Sequence, residues 1–490
     1  MQASPADSAT LPPQQSQSDE QARAGDSPTG HSGIPWWMWA LAGALFFAYM
    51  TLSLRLHQRM LSNAFDLGIF EQVIRSYADG HLPVSEVKGP DYPVLGDHFH
   101  PALALVAPFY RLWPSPQVLL VVQAALIAAS VLPLALWARR ALGSGAAAVI
   151  GICYGLSWGL ANAAGFDFHE VAFAVPLLAC SLVALGNDRP RAAALWALPL
   201  LLVKEDLGLT VAVIGFLIAL RGDRKLGIAT AVAGLGGTAL AMLVILPAFN
   251  PQGSYAYTHW LTTGSEGGES GLPDLLYKVT IGLITPEPKV TTLLFLLAPT
   301  LFLALRSPLL LVALPTLVWR FASGLWTHWG TSYHYSIVLM PIVFAAFIDA
   351  LVRRRTSGVS LRRYLVGSAA ITALILPQYP LWQLVKPENW RTDPRVAVAH
   401  KLMDRIPDGA TVQASNQLVP QLTDRTSVSL YGWGDSRPNP EWIMVDTEVP
   451  QHRIWPLSVG EERISLDRAL TEGYRTAAEE DGFVLLTRSG

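Results

Sequence analysis

The chain has 490 residues, 51% of them hydrophobic and 15% charged, with a mean hydropathy of +0.34, which excludes a single soluble core and points to a chain largely in lipid. A formal net charge of −2, with Lys and Arg in short clusters between apolar runs, excludes a basic nucleic-acid footprint. The two cysteines, Cys153 and Cys180, both lie in apolar runs and offer neither a disulfide framework nor a thiolate zinc site.

Residues 1–33 are rich in Pro, Ser, Gln and Ala without apolar periodicity, which predicts a disordered cytoplasmic tail. No basic segment leads into a short apolar region and a cleavage site, so the first apolar run is expected to stay as a helix rather than act as a signal peptide. Apolar runs near 36–54, 116–138, 145–161, 170–186, 191–204, 207–220, 226–247, 289–306, 307–322, 336–352 and 364–385 predict about 11 transmembrane helices. The basic clusters "ARR" at 138–140, "NDRPR" at 187–191, "RGDRK" at 221–225, Arg306 and "RRRTSGVSLRR" at 353–363 fall in alternate loops, which the positive-inside rule makes cytoplasmic. The expected fold is an α-helical polytopic membrane protein: a transmembrane domain over 34–385 with a long first outer loop at 55–115, followed by a small extracytoplasmic α/β domain at 386–490.

That topology puts nearly every unusual polar cluster on the outer side: "NAFDLGIFEQ" at 63–72, "GDHFHP" at 96–101, "FDFHE" at 166–170, "KED" at 204–206, "YAYTHW" at 255–260 and "THWGTSYHY" at 327–335. Ionisable residues at a membrane boundary are costly unless paired, hydrated or functional, so their convergence implies one extracytoplasmic site. Leu67, Phe70, Val73, Ile74 and Tyr77 recur at helical spacing with Gly80 as a stop, which predicts an amphipathic helix in the interface. Asp66 at its start reads either as a helix cap or as a general base.

"GDHFHP" precedes a second interfacial segment, "ALALVAPFYRLW". His98 and His100, two residues apart, offer with Asp97 a mixed N and O donor set, joined by His169, that suits a divalent metal such as Mn, Mg or Zn; hydrogen bonding to a ligand phosphate and a local turn are the other readings. Asp167 and Glu170 have capping-box spacing ahead of the 170–186 run, a reading that leaves His169 unexplained. "KED" breaks a run too long for one span, so a tight outer turn is expected there. Lys204 then supplies a point charge for a phosphate or snorkels, and Glu205 joins the substrate-binding set or, like Asp206, caps the next helix. Tyr255, Tyr257, His259 and Trp260, then Trp326, His328, Trp329, Tyr333, His334 and Tyr335, read as an interfacial aromatic belt or as rings and donors for a sugar. Beyond 385, "ATVQAS", "SVSLYGW", "EWIMVDT" and "GFVLLTRSG" read as strands and "SLDRALTEGYR" as a helix, with no Gly-rich phosphate loop. A binding lid or a structural support fits such a domain better than a catalytic unit.

The order of "FDLGIFEQ", "GDHFHP", "FDFHE", "KED" and "IPDGATVQASNQLVPQLTDR" resembles a bacterial family of polytopic membrane proteins of unknown function, DUF2079, over roughly residues 50–490. More distantly the chain is similar to C-type (GT-C) glycosyltransferases, multispan bundles with interfacial helices in a long first outer loop and a catalytic acid soon after the first span. That resemblance implies a bacterial plasma-membrane enzyme that moves a sugar from a polyprenyl-phosphate donor to an envelope glycan, lipid or protein acceptor, commonly with inversion. It places Asp66 as the base, whereas no second acid adjoins Asp66, and Asp97, Asp167 or Glu170 would have to supply one. His98, His100, His169 and Lys204 are then candidates for stabilising the departing phosphate. A lipid or solute transporter or flippase, and a metal-dependent hydrolase of lipid-linked substrates, are the alternatives from other classes; the first expects charges buried midway along spans, the second an activated water.

Overall fold

The computed structural model describes residues 33–255, 276–277, 280–356, 360–450 and 453–488. The tail at 1–32 and the aromatic residues Tyr257, His259 and Trp260 lie outside the described residues. The first helix, α1 (Trp36–Gln58), starts after Pro35 and buries Met38, Ala42, Leu45, Tyr49 and Leu52 at helical spacing. Trp36, Trp39 and Phe47 on its other faces remain exposed, a pattern that suits lipid as the surrounding solvent.

Among the described residues three helices are long and apolar enough to cross a membrane: Trp36–Gln58, Gln117–Leu142 and Arg224–Phe249. Ser144–Gly155 and Trp158–Ala164, bent by 46°, make a fourth if taken as one broken span. The predicted runs at 170–186, 191–204, 207–220 and 307–322 form shorter apolar helices, Glu170–Gly186, Pro190–Leu202, Leu207–Leu220 and Pro308–Ala322. The break between Pro190–Leu202 and Leu207–Leu220 falls at the "KED" charges, which would be costly inside a continuous lipid-facing helix. Leu207–Leu220 then packs closely on Arg224–Phe249: a Cβ on Gly208 would stand 2.4 Å from the Gly234 carbonyl oxygen, so only glycine permits this approach. Thr238 adds a 2.8 Å bond to the Glu205 carbonyl and fixes the turn from below.

After α1 a short two-stranded ribbon, β1 (Val84–Ser85) and β2 (Tyr92–Pro93), follows helix α2 (Ile69–Ala78). The segment Pro101–Leu112 turns Leu103, Val106 and Tyr110 inward and Leu105, Phe109 and Leu112 outward, the amphipathic form expected of an interfacial element.

The C-terminal region forms a five-stranded sheet of β3 (Thr411–Ala414), β4 (Ser427–Leu430), β5 (Trp442–Asp446), β6 (Tyr474–Glu480) and β7 (Phe483–Arg488) in the order β4-β3-β5-β7-β6. β3 runs parallel to β4 and β5, and β7 antiparallel to β5 and β6. A strand stands in each of the four segments read as such, and the helix Val459–Thr471 carries a Ser458–Glu461 capping box. Strand β6 escaped the sequence pattern: "GYR" was read as the end of that helix, but Gly473 at φ +98 stops it. β6 is an edge strand whose residues after Tyr474 are exposed or half-exposed, without alternation.

The placement of α2 corrects the sequence reading. It does not lie open in the interface; Leu67, Phe70, Val73 and Ile74 share one core with Val412, Val428, Leu430, Met444 and Leu485. The sheet has an apolar face that must be covered, and α2 covers it. Gln72 Nε2 donates to the Val428 carbonyl at 2.8 Å and Arg75 to that of Thr426 at 3.2 Å, so the C-terminal region is built onto the segment that carries Asp66.

Candidate active site

Asp66 lies in the irregular turn Ala64–Gly68 between α1 and α2 with φ +100 and ψ −91, outside the ordinary regions for a residue with a Cβ. Such backbone costs on the order of 1–3 kcal/mol and persists where the surroundings impose it, often for function. Its side chain makes no cap bond to α2, so the capping reading fails. Instead Oδ1 stands 3.3 Å from His169 Nε2, at ion-pair distance but without hydrogen-bond alignment, and the carboxylate is 30% exposed beside a histidine that is almost fully enclosed.

Asp167, also at positive φ (+48), forms no capping box with Glu170. Its Oδ2 accepts from the backbone N–H and the side-chain amide of Asn63 at 3.0 and 2.8 Å. Asn63 Oδ1 in turn accepts from Asn416 of the C-terminal region at 3.1 Å. Gln123 fixes the other side, donating to the Asp167 carbonyl at 2.6 Å and accepting from the His169 N–H at 2.9 Å. Burial first, and the Asp66 charge second, push the Asp167 carboxyl up to about 7, so it is the carboxylate that faces Asp66 electrostatically. The folded protein therefore holds this proton more tightly than the unfolded chain, where the group titrates near 3.8. Its contribution lowers stability as pH rises between those two values and is level above the higher one. Asp167→Asn keeps an acceptor for Asn63 and should remove that slope, read as the difference in thermal midpoint between wild type and variant at pH 5 and pH 8.

"GDHFHP", "FDFHE" and "KED" meet in one charged network. His98 Nδ1 lies 2.8 Å from Glu205 Oε1, the Phe99 N–H donates to Glu205 Oε2 at 3.1 Å, and Tyr255 reaches Glu205 Oε1 at 3.3 Å. Lys204 Nζ is 2.7 Å from Glu170 Oε1, and Lys88 Nζ is 3.1 Å from Asp97 Oδ1. Burial lowers the His98 imidazole, but the charge and hydrogen bond of Glu205 together with the Asp97 carboxylate leave its pKa raised. In the opposite sense, burial holds Glu205 up while His98 pulls it down to about 2. His100 differs: fully buried, with no hydrogen bond to either ring nitrogen, it is pushed down to about 4 and held neutral. Asp206 makes no cap bond, and burial raises it to about 6.

The metal reading of Asp97, His98, His100 and His169 is corrected. Among the described residues no group of three His, Cys, Asp or Glu side chains is arranged to hold a metal ion. An ammonium occupies Asp97, Glu205 occupies His98, and His169 faces Asp66 instead.

The loop around 328–336 closes the site. His334 stacks on His169 with ring centroids 3.4 Å apart, and Tyr333, at φ +64, sets its ring edge on Phe166. His328 is a step removed, its Nδ1 2.8 Å from Ser323 Oγ, and serves the loop. Burial and the neighbouring His169 hold His334 well below the usual imidazole value. What shapes this loop is Arg320, fully buried, which donates to the carbonyls of His328 (2.8 Å), Gly330 (3.0 Å) and Tyr335 (3.4 Å) and to Ser336 Oγ (3.0 Å). Arg320→Met, which leaves those acceptors bare, should cost on the order of 3 kcal/mol; a lowered thermal midpoint of the purified protein checks it. Sequence reasoning missed Arg320, Gln123, Asn63 and Lys88. Only Arg320 carried a signal, a lone charge in an apolar run.

The model of a family described as predicted membrane protein, DUF2079, matches residues 56–485. The chain belongs to the DUF2079 family. No curated protein matches it. The fold of this DUF2079 member is similar to the crystal structure of ArnT from Cupriavidus metallidurans bound to undecaprenyl phosphate, with TM-score 0.55 at 14% identity over 93% of this chain and 98% of that one. The apo state of the same protein gives TM-score 0.51 at 14% identity over 92% and 97% of the two chains. The archaeal oligosaccharyltransferase AglB from Archaeoglobus fulgidus, in complex with an inhibitory peptide and a dolichol-phosphate, matches at 13% identity and TM-score 0.42 over 88% and 72%. At such identities the likeness to ArnT establishes a shared fold and nothing more.

Proposed function

We propose that the protein is a membrane glycosyltransferase that moves a sugar from a polyprenyl-phosphate donor to an extracytoplasmic acceptor, with Asp66 as the general base. The observation that carries the reading is the strained, part-exposed Asp66 carboxylate at the rim of an otherwise enclosed charged network. The fold shared with ArnT, whose structure holds undecaprenyl phosphate, supports the donor class. The sidedness rests on the positive-inside pattern of the basic loops.

In this reading the Asp66 carboxylate takes the proton of the acceptor hydroxyl as that oxygen attacks the anomeric carbon. The bond from that carbon to the phosphate oxygen breaks, its electron pair leaves with the phosphate, and a single displacement inverts the centre. Lys204, held by Glu170, and His98, whose charged form Glu205 favours, are the groups that would offer positive charge to the departing phosphate. Asp167 is the second acid, and burial together with the facing Asp66 carboxylate raises its proton affinity. Beside them His334 stacks on His169, Tyr333 meets Phe166 and His100 meets Phe70, so these rings form the wall of the site.

The test uses purified protein in liposomes with a labelled polyprenyl-phosphate sugar and envelope lipids and glycans as acceptors. Label in a covalent product together with released polyprenyl phosphate is the expected result. Labelled lipid that only crosses the bilayer, with no covalent product, would mean a flippase instead.

A further inference from the structure

A polar hollow lies between the end of α1 and loops of the C-terminal region, and the charged network contributes nothing to it. Its volume is about 470 Å³, and its walls include Arg59, Asn63, Phe166, Asn416, Arg453 and Trp455. That is within the range of small-molecule sites. Three of these residues connect it to the reacting acid. The Trp455 ring packs against Phe65, the neighbour of Asp66 in sequence, with centroids 4.9 Å apart. Phe166 stacks on His169, the histidine that faces Asp66, at 5.7 Å. Asn63 holds Asp167.

The lining has a definite chemistry. Arg59 and Arg453 line the same cleft, and Arg55 and then Arg453 add unfavourable positive charge to the burial of Arg59. No ion pair with a carboxylate holds Arg59 or Arg453 among the described residues, and the Arg59 guanidinium reaches only the Asn389 amide oxygen, at 3.4 Å. Like charges gathered in a concave site without a counter-charge are unfavourable, and an anion bound there relieves them. Gln383 and Gln417, on the same walls, direct amides without a side-chain bond to another described residue. Exposed Trp455 and part-buried Phe166 add aromatic surface to the lining. Amides for hydroxyls, rings for an apolar sugar face and two guanidinium groups for a negative charge make a consistent set.

The geometry points to this cleft as the acceptor subsite, taking an anionic saccharide, a sugar that carries a phosphate or carboxylate, gripped jointly by Arg59 and Arg453. The word acceptor rests on Asp66 as the base. The ligand class rests on the cleft alone. The C-terminal region, through Asn416, Gln417, Arg453 and Trp455, is then part of the substrate site rather than a support.

The experiment measures binding by calorimetry to the purified full chain carrying Asp66→Asn, so that no turnover interferes. Glucose 6-phosphate, glucose, inorganic phosphate and farnesyl phosphate are the probes. Glucose 6-phosphate is expected to bind about tenfold or more tightly than glucose, and Arg59→Gln and Arg453→Gln each to weaken it by about tenfold while leaving glucose unchanged. Arg453→Lys, at an exposed position, should restore part of the loss. Equal affinity for the two sugars, or an affinity for glucose 6-phosphate that survives both substitutions together, would overturn the proposal. So would inorganic phosphate binding as tightly as the sugar phosphate, which makes the cleft a plain anion site, or an arginine-dependent displacement by farnesyl phosphate, which assigns it to the lipid carrier. Full transfer by Asp66→Asn in the liposome assay would remove the base and leave the cleft standing; failed binding would remove the cleft and leave Asp66.

Discussion

Asp66→Asn should lower sugar transfer by about 10²–10⁴-fold while leaving donor binding intact, because the amide keeps the size and polarity of the carboxylate but cannot take a proton. The change lies in kcat rather than in KM, since the group acts on the proton in flight and not on the bound donor. A companion variant separates function from scaffold. Asp66 sits at φ +100, a conformation that glycine adopts without penalty, so Asp66→Gly should raise the thermal midpoint even as it abolishes transfer. A residue kept for structure would show the reverse: a stability loss on removal and an activity loss no larger than the loss of folded protein explains. Measured side by side, a stabilised and inactive Asp66→Gly identifies strain retained for chemistry, and transfer undiminished in Asp66→Asn removes Asp66 as the base.

The residues of the site were legible where the sequence offended its surroundings. Lys204 and Glu205 interrupt an apolar run, Asp66, His98 and His169 stand in polar clusters that the basic loops place on the same side, and the cost of unpaired charge at the membrane boundary was enough to predict that they gather. They do: Asp66 meets His169, His98 meets Glu205, and Lys204 meets Glu170. The metal reading failed because local spacing suggested a ligand pair in "GDHFHP", whereas the partner of His98 is Glu205, 107 residues away. Nothing local signals a contact of that range. Gln123 was invisible for a related reason: it acts through a bond to a residue over 40 positions distant, and a single polar amide in an apolar segment has no pattern of its own; Asn63 opens the "NAFDLGIFEQ" cluster, but nothing local signals its bond to Asp167, over 100 positions away. The burial of α2 was likewise out of reach, since its periodicity shows an apolar face but not whether lipid or protein covers it. The sheet that does so lies more than 330 residues further along the chain.

Lys204→Met should destabilise the protein by about 3–5 kcal/mol, because it strands the Glu170 carboxylate, 2% exposed, without its counter-ion. Removing both partners is a different experiment from removing one. A buried ion pair replaced by well-packed apolar groups is often neutral in stability, since the desolvation of two charges is recovered when both go. Lys204→Met combined with Glu170→Leu should therefore regain most of the lost thermal midpoint. The ammonium has three donors and spends one on Glu170 at 2.7 Å, so others remain for a phosphate oxygen. Stability restored without transfer is what a phosphate-binding Lys204 requires, and the deficit should be in kcat and kcat/KM alike if the contact strengthens as charge builds on the leaving group. If transfer recovers along with stability, the pair only holds the "KED" turn against the "FDFHE" segment, and the positive charge at the leaving group has to come from His98.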